Sequence, residues 1–176
     1  QRCVIAGAAF TFQTANSTSF TVSCADYLAY SYVTNAADNT VSSYSVDVTT
    51  GAVAVIGAPT VTGASPYATV GFGFADKRYV FVGNEGDKTV SAFAVNSTTG
   101  ALTAVPGSPF PAGTDPQAMA VDYSSLDLYV ANAGSDNVSA YAIDAGNAGA
   151  LTALPWSPVA VGKSPTSIVL VPGLPY

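Results

Sequence analysis

The segment from Tyr32 to Val53, "YVTNAADNTVSSYSVDVTTGAV", recurs as "FVGNEGDKTVSAFAVNSTTGAL" from Phe81 and as "YVANAGSDNVSAYAIDAGNAGAL" from Tyr129. Asn35, Asn84 and Asn132 stand 49 and 48 residues apart, and Gly51, Gly100 and Gly149 are spaced by 49. Upstream of each motif sits a shorter echo, "SPYATV", "DPQAMAV" and "SPTSIVL", with Pro66, Pro116 and Pro165 in register. Self-similarity at this period means stacked supersecondary units, none of which buries its apolar face alone. Within a unit, "TVSSYSV" and "NVSAYAI" alternate as a strand does, and the aligned glycine suits a turn that needs φ > 0. Four short strands and their turns fit in ~49 residues. The expected fold is all-β: four-stranded antiparallel blades of the β-propeller type in about three repeats, with an extra N-terminal strand and an orphan C-terminal one.

The motifs support a family resemblance. "YVTN" itself stands at Tyr32–Asn35, with "ADKRYVFVGN" before Asn84 and "DLYVAN" before Asn132. The pattern resembles the YVTN-type β-propeller repeat of bacterial and archaeal surface proteins and, more distantly, of lactonase-like seven-bladed propellers. It spans about Ser17 to Val171. The resemblance implies blades of four antiparallel strands whose innermost strand follows the proline, and fold alone implies no activity.

The repeats place boundaries at about 17–65, 66–115 and 116–164, with a fourth beginning over 165–176, all within one domain. Closed propellers have about four to eight blades, so three repeats leave unpaired edges. Ser167, Ile168, Val169, Leu170 and Val171 form an orphan edge strand. Residues 1–16 have no counterpart in the repeat. There Val4, Ala6, Ala8, Phe10 and Phe12 alternate with Ile5, Gly7 and Ala9, so both faces are apolar and expect burial. This segment is a candidate donor strand that pairs between subunits, head to tail; the alternative keeps it on its own first blade.

Composition excludes several classes. Lys+Arg total 5 against Asp+Glu 11, a net charge of −6, so the positive field that a phosphate backbone requires is lacking and nucleic acid is not an expected partner. No apolar run approaches the ~18 residues of a membrane span. The chain opens on Gln1 and its sole methionine is Met119, which reads as a processed product or an excised piece. Cys3 and Cys24, the only cysteines, read as one disulfide. Asn16, Asn96 and Asn137 head glycosylation sequons. Together these indicate an extracellular or cell-surface location.

Catalysis finds little support in residue type. Histidine is absent, which removes the usual general base near neutral pH and the commonest metal ligand. Arg78 beside Asp76 reads as a solvated turn charge. The loops "NAADNT", "NEGDKT" and "NAGSDN" hold oxygen ligands that calcium accepts, but Asn and Asp there more simply satisfy turn backbone. Asn35, Asn84 and Asn132 are expected to tie strand ends. Tyr44, Phe93 and Tyr141 are expected in inter-blade core, and Trp156 in packing. No catalytic residue, cofactor or metal site is assigned. The expectation is a secreted, non-enzymatic structural protein, a filament or coat subunit that assembles with copies of itself by strand complementation, glycans being further partners. The alternative is a ligand- or carbohydrate-binding propeller module, or a fragment of a lactonase-like propeller.

Overall fold

The computed structural model describes residues 28–146 and 148–171, and among them the regular structure is entirely strand. The first sheet holds β1 (Leu28–Asn35), β2 (Thr40–Asp47), β3 (Val53–Val55) and β4 (Thr60–Val61). The second holds β5 (Pro66–Phe74), β6 (Lys77–Asn84), β7 (Thr89–Val95), β8 (Leu102–Ala104) and β9 (Phe110–Pro111). The third holds β10 (Pro116–Asp122), β11 (Asp127–Asn132), β12 (Asn137–Asp144), β13 (Ala150–Ala153) and β14 (Val159–Ala160).

Each sheet is an antiparallel meander in chain order. The register repeats with the sequence: Tyr32 pairs Ser43, Phe81 pairs Ala92 and Tyr129 pairs Ala140. The outermost strand comes in two pieces, so that β8 and β9 take opposite ends of β7. Between them the chain bulges out and is held by Val105 N–H donating to Ala92 O and Ala92 N–H donating to Ser108 Oγ, each at 2.9 Å. Ser157 serves Ala140 identically.

Period-two alternation carries a different meaning here from an apolar face and a wet one. In β6, Tyr79 and Phe81 join the core against the third sheet, while Val80 and Val82 join the core against the first. A sheet sandwiched between two others buries both faces, so β6 and β7 alternate large with small side chains. Ala92 is buried as fully as Phe81, and Ser91 is buried too.

The inner strands β5 and β10 pack side by side. The first sheet begins at β1 and has no counterpart of β5 among the described residues. A cleft of about 1100 Å³ lies there, between Ala29–Tyr32 and the Thr69, Gly71 and Gly73 face of β5. Cys3, Cys24, Asn16 and the strand expected over Val4, Ile5, Ala6, Ala8, Phe10 and Phe12 lie outside the described residues. Ser167–Val171 is described; it enters no ladder, and Val169 and Val171 are 79% and 81% exposed.

Candidate functional site

The aligned residues explain themselves structurally. Asn84 Nδ2 donates to Thr89 Oγ1 at 3.0 Å and to Ser91 Oγ at 2.9 Å, closing the β6–β7 turn. Asn35 does the same with Thr40 and Ser42, and Asn132 with Asn137 and Ser139. The other turn oxygens are also committed to the backbone. Asn39 Oδ1 accepts from Ser65 N–H, Asp87 Oδ2 from Ala64 N–H and Asp136 Oδ1 from Ser164 N–H. Among the described residues no three acidic or thiol groups gather where a metal could be held. Asn96 is exposed, with its Oδ1 accepting from Thr98 and Thr99 N–H, whereas Asn137 is drawn into the Asn132 network.

Aromatic side chains seal the junctions. Phe93 and Tyr141 are buried, and the Tyr141 hydroxyl donates to Pro111 O of the preceding sheet at 2.6 Å. Tyr44, their equivalent, stays half-buried on the outer face of the first sheet. Trp156 stacks on Tyr129 at 6.3 Å on the outer face of the third. Arg78 Nη1 donates to Ala75 O and Lys77 O, both at 3.1 Å, which keeps its charge at the β5–β6 turn.

The repeated glycine does two jobs. Gly51, Gly100 and Gly149 have φ of 74°, 73° and 86°, a region costly for any other residue. A Cβ at Gly100 would also lie 2.4 Å from the Tyr30 ring, and one at Gly149 2.5 Å from Tyr79. Each tyrosine of one sheet thus lies flat on the turn of the next. Tyr32 reaches the same turn, donating to Gly100 O at 2.9 Å. Burial, with the neighbouring Tyr30, pushes the Tyr32 phenol up to about 12, and burial raises Tyr79 and Tyr141 as well. These phenols keep their protons at neutral pH, and those of Tyr32 and Tyr141 act as donors.

Function is better sought where the repeat breaks. Directly after the aligned asparagines come Ala36, Glu85 and Ala133. Glu85, the chain's only glutamate, is half-buried where β6 ends, and its Oε1 accepts from Gln117 Nε2 on the inner strand β10. Tyr67, which holds the place of Gln117 on β5, is 57% exposed, and its carbonyl accepts from Thr34 Oγ1. A carboxylate and an amide therefore meet at the start of the inner strand β10. Residue type alone passed over Glu85; a comparison of the aligned positions singles it out.

Comparison with known proteins agrees with this architecture. The family described as Lactonase, 7-bladed β-propeller matches residues 32–169. No curated protein matches the sequence. Among solved structures, a candidate 6-phosphogluconolactonase from Bacteroides fragilis is 18% identical with a TM-score of 0.67, over 84% of this chain and 43% of that one. The periplasmic gluconolactonase of Pseudomonas aeruginosa is 23% identical with a TM-score of 0.64, over 78% and 38%. A protein from Lactobacillus plantarum is 24% identical with a TM-score of 0.62, over 78% and 40%. The chain spans less than half the length of each. At these identities the structures speak for the fold.

The family match overturns three expectations: the non-enzymatic filament subunit, the absence of an enzyme, and the structural, disulfide-linked glycoprotein built around them. The open edges that suggested strand exchange have a simpler physical cause. In a seven-bladed ring every sheet is covered on both faces by neighbours, so three sheets considered alone leave two faces bare.

Proposed function

The chain belongs to the Lactonase, 7-bladed β-propeller family, and we propose that it is a three-bladed section of a lactone-hydrolysing propeller, cut as 17–65, 66–115 and 116–164, whose YVTN-type repeats build the ring wall. The family match over residues 32–169 carries this reading. Glu85 is the residue assigned to chemistry. Held by Gln117 at the mouth of the inner strands, its carboxylate takes a proton from a water that attacks the lactone carbonyl. The ring C–O bond then breaks and the alkoxide recovers a proton, leaving the open hydroxy acid. General-base assistance of this kind contributes about 10²–10⁴-fold.

The favoured substrate is a neutral sugar lactone rather than its phosphate. Lys77 and Arg78 lie at the start of β6, the opposite end from Glu85, and both donate to turn carbonyls. The section carries a net charge of −6, which repels a phosphate. A location outside the cytoplasm is supported by the likeness to a periplasmic gluconolactonase; placement at the cell surface is the finer reading.

The test is acid release from glucono-δ-lactone, followed in a pH-stat with the protein purified at the length its cells make. Acceleration over buffer is expected, with Glu85→Gln losing at least about 100-fold at unchanged melting temperature. No acceleration by the unaltered protein would sink the reading, and full activity in Glu85→Gln would remove the residue assignment.

A further inference from the structure

Glu85 and Gln117 are each fixed by backbone bonds before their side chains meet. Glu85 N–H donates to Ser65 O at 3.0 Å and Gly86 N–H to Ala64 O at 3.1 Å, so the loop entering β5 clamps the turn that carries the carboxylate. The same two bonds recur one sheet further on, where Ala133 N–H donates to Asp115 O at 2.8 Å and Gly134 N–H to Thr114 O at 3.0 Å, just ahead of Gln117. The side chains then join across the junction, Gln117 Nε2 donating to Glu85 Oε1. Among the described residues this is the only hydrogen bond that either side chain makes, which leaves Glu85 Oε2, Gln117 Oε1 and the second Nε2 hydrogen without a partner. Both residues are half-buried, so these atoms are within reach of a ligand. The other turn acceptors, on Asn39, Asp87 and Asp136, are spent on backbone N–H groups. At the junction of the first and second sheets the two equivalent positions hold Ala36 and Tyr67, which cannot form such a pair.

We propose that Gln117 determines substrate specificity: its amide reads the hydroxyl on the carbon next to the lactone carbonyl. The proposal rests on the assignment of Glu85 above and adds which part of the substrate the neighbouring amide selects. Along the joined side chains an acceptor, a donor and a second acceptor follow one another. A hydroxyl both donates and accepts, so it can give its proton to Gln117 Oε1 while taking the free Nε2 hydrogen. With water held by Glu85 and aimed at the carbonyl carbon, the substituent that falls beside Glu85 is the one on the adjacent carbon. A substrate lacking that hydroxyl leaves the amide facing carbon, and a site built to hydrogen-bond a substrate hydroxyl rejects an analogue without it because its own polar group goes unpaired. Both turns are already clamped, so binding spends little on ordering the pair.

The experiment compares kcat/KM for glucono-δ-lactone and for the same lactone without its 2-hydroxyl, on the protein purified at the length its cells make. Each value is divided by the rate in buffer, which removes the electronic effect of the hydroxyl. The unaltered protein should prefer the hydroxylated lactone by at least about 10-fold. Gln117→Leu should lower both values, since it also releases Glu85, and should bring their ratio close to one. A residue that only holds the turn would lower both and leave the ratio as it was. An unchanged ratio in Gln117→Leu overturns the proposal, as does an unaltered protein that treats the two lactones alike. A second measurement needs neither turnover nor a variant. D-glucono-δ-lactam, which is neutral and carries the same hydroxyls, should shift the NMR signal of the Gln117 side-chain amide and bind at least about 10-fold more tightly than its 2-deoxy counterpart. An unmoved amide signal, or equal binding of the two lactams, overturns the proposal even where the lactone is hydrolysed. Selective lactam binding without lactone hydrolysis would support the hydroxyl site while ending the hydrolytic reading.

Discussion

The two junctions of this molecule share their contact rules but differ in how well they are sealed. Between the second and third sheets, twelve buried residues form one core that runs from Phe72 to Leu151. Between the first and second, the core among the described residues holds Val80, Val82 and Phe93, with Tyr32, Val95 and Leu102 partly buried. Both junctions have the tyrosine lying on a positive-φ glycine. Among the described residues, only the tighter one has two inner strands, β5 and β10, against each other; the looser one borders the cleft beside β1. Among the described residues the closed core thus goes with the paired inner strands, while the tyrosine–glycine contact is common to both junctions.

The largest test of that difference is truncation of one aromatic in each core. Phe81→Ala should cost about 3–5 kcal/mol, the usual price of a buried Phe whose cavity cannot collapse. Phe93→Ala should cost clearly less, because its surroundings border the cleft. Equal losses in denaturant melts would break the comparison. Next come the aligned glycines. Ala at Gly51 faces only the backbone penalty of about 1–2 kcal/mol, whereas Ala at Gly149 adds about 1–3 kcal/mol of overpacking against Tyr79. If the two variants melt together, the tyrosine–glycine contact is not one that matters.

A smaller effect should appear at Lys88, which has φ of 56° where Asn39 and Asp136 have 55° and 51°. Those two accept a hydrogen bond from the loop ahead, which an ammonium cannot do, and asparagine tolerates this conformation better than lysine. Lys88→Asn should stabilise by about 0.5–1.5 kcal/mol, the worth of one hydrogen bond. An unchanged or lowered melting temperature would deny that the tighter junction has a spare bond to gain.

The smallest effect concerns acid. Hydrogen bonds from Thr49 and Thr50 hold the Asp47 carboxyl below its usual range, and Ser124 does so for Asp122. A depressed folded-state value stabilises above the unfolded value near ~3.9 and is lost as pH falls through the folded one. Both carboxyls lie at turns beside solvent and are only half-buried, so the slope is shallow. Asn96 already performs the role of Asp47 without a charge. Asp47→Asn should flatten the acid limb of the melting temperature against pH while leaving the value at pH 7 nearly unchanged; a steeper limb would be the contrary result.

Much of this was legible in the residues. The spacing of Asn35, Asn84 and Asn132 identified the unit, and the turn chemistry of asparagine and glycine identified its ends, because those preferences are local. Glu85 was not singled out because a search by residue type looks for histidine or paired carboxylates, whereas its bond to Gln117 joins two sheets. The alternation within a unit identified strands but not which faces they bury; that β6 buries both faces follows from a sheet lying on either side.

By itself the sequence determined a repeated four-stranded unit, its turns and its cut points at Pro66 and Pro116, since each depends on backbone preferences and hydrogen bonds within a few residues. Only the tertiary structure decided that Gly149 serves Tyr79 as well as its own turn, that Gly63 presses on Asn84, and that Glu85 meets Gln117. Those facts join residues of different sheets, and packing between sheets brings such residues together where local preference has no say.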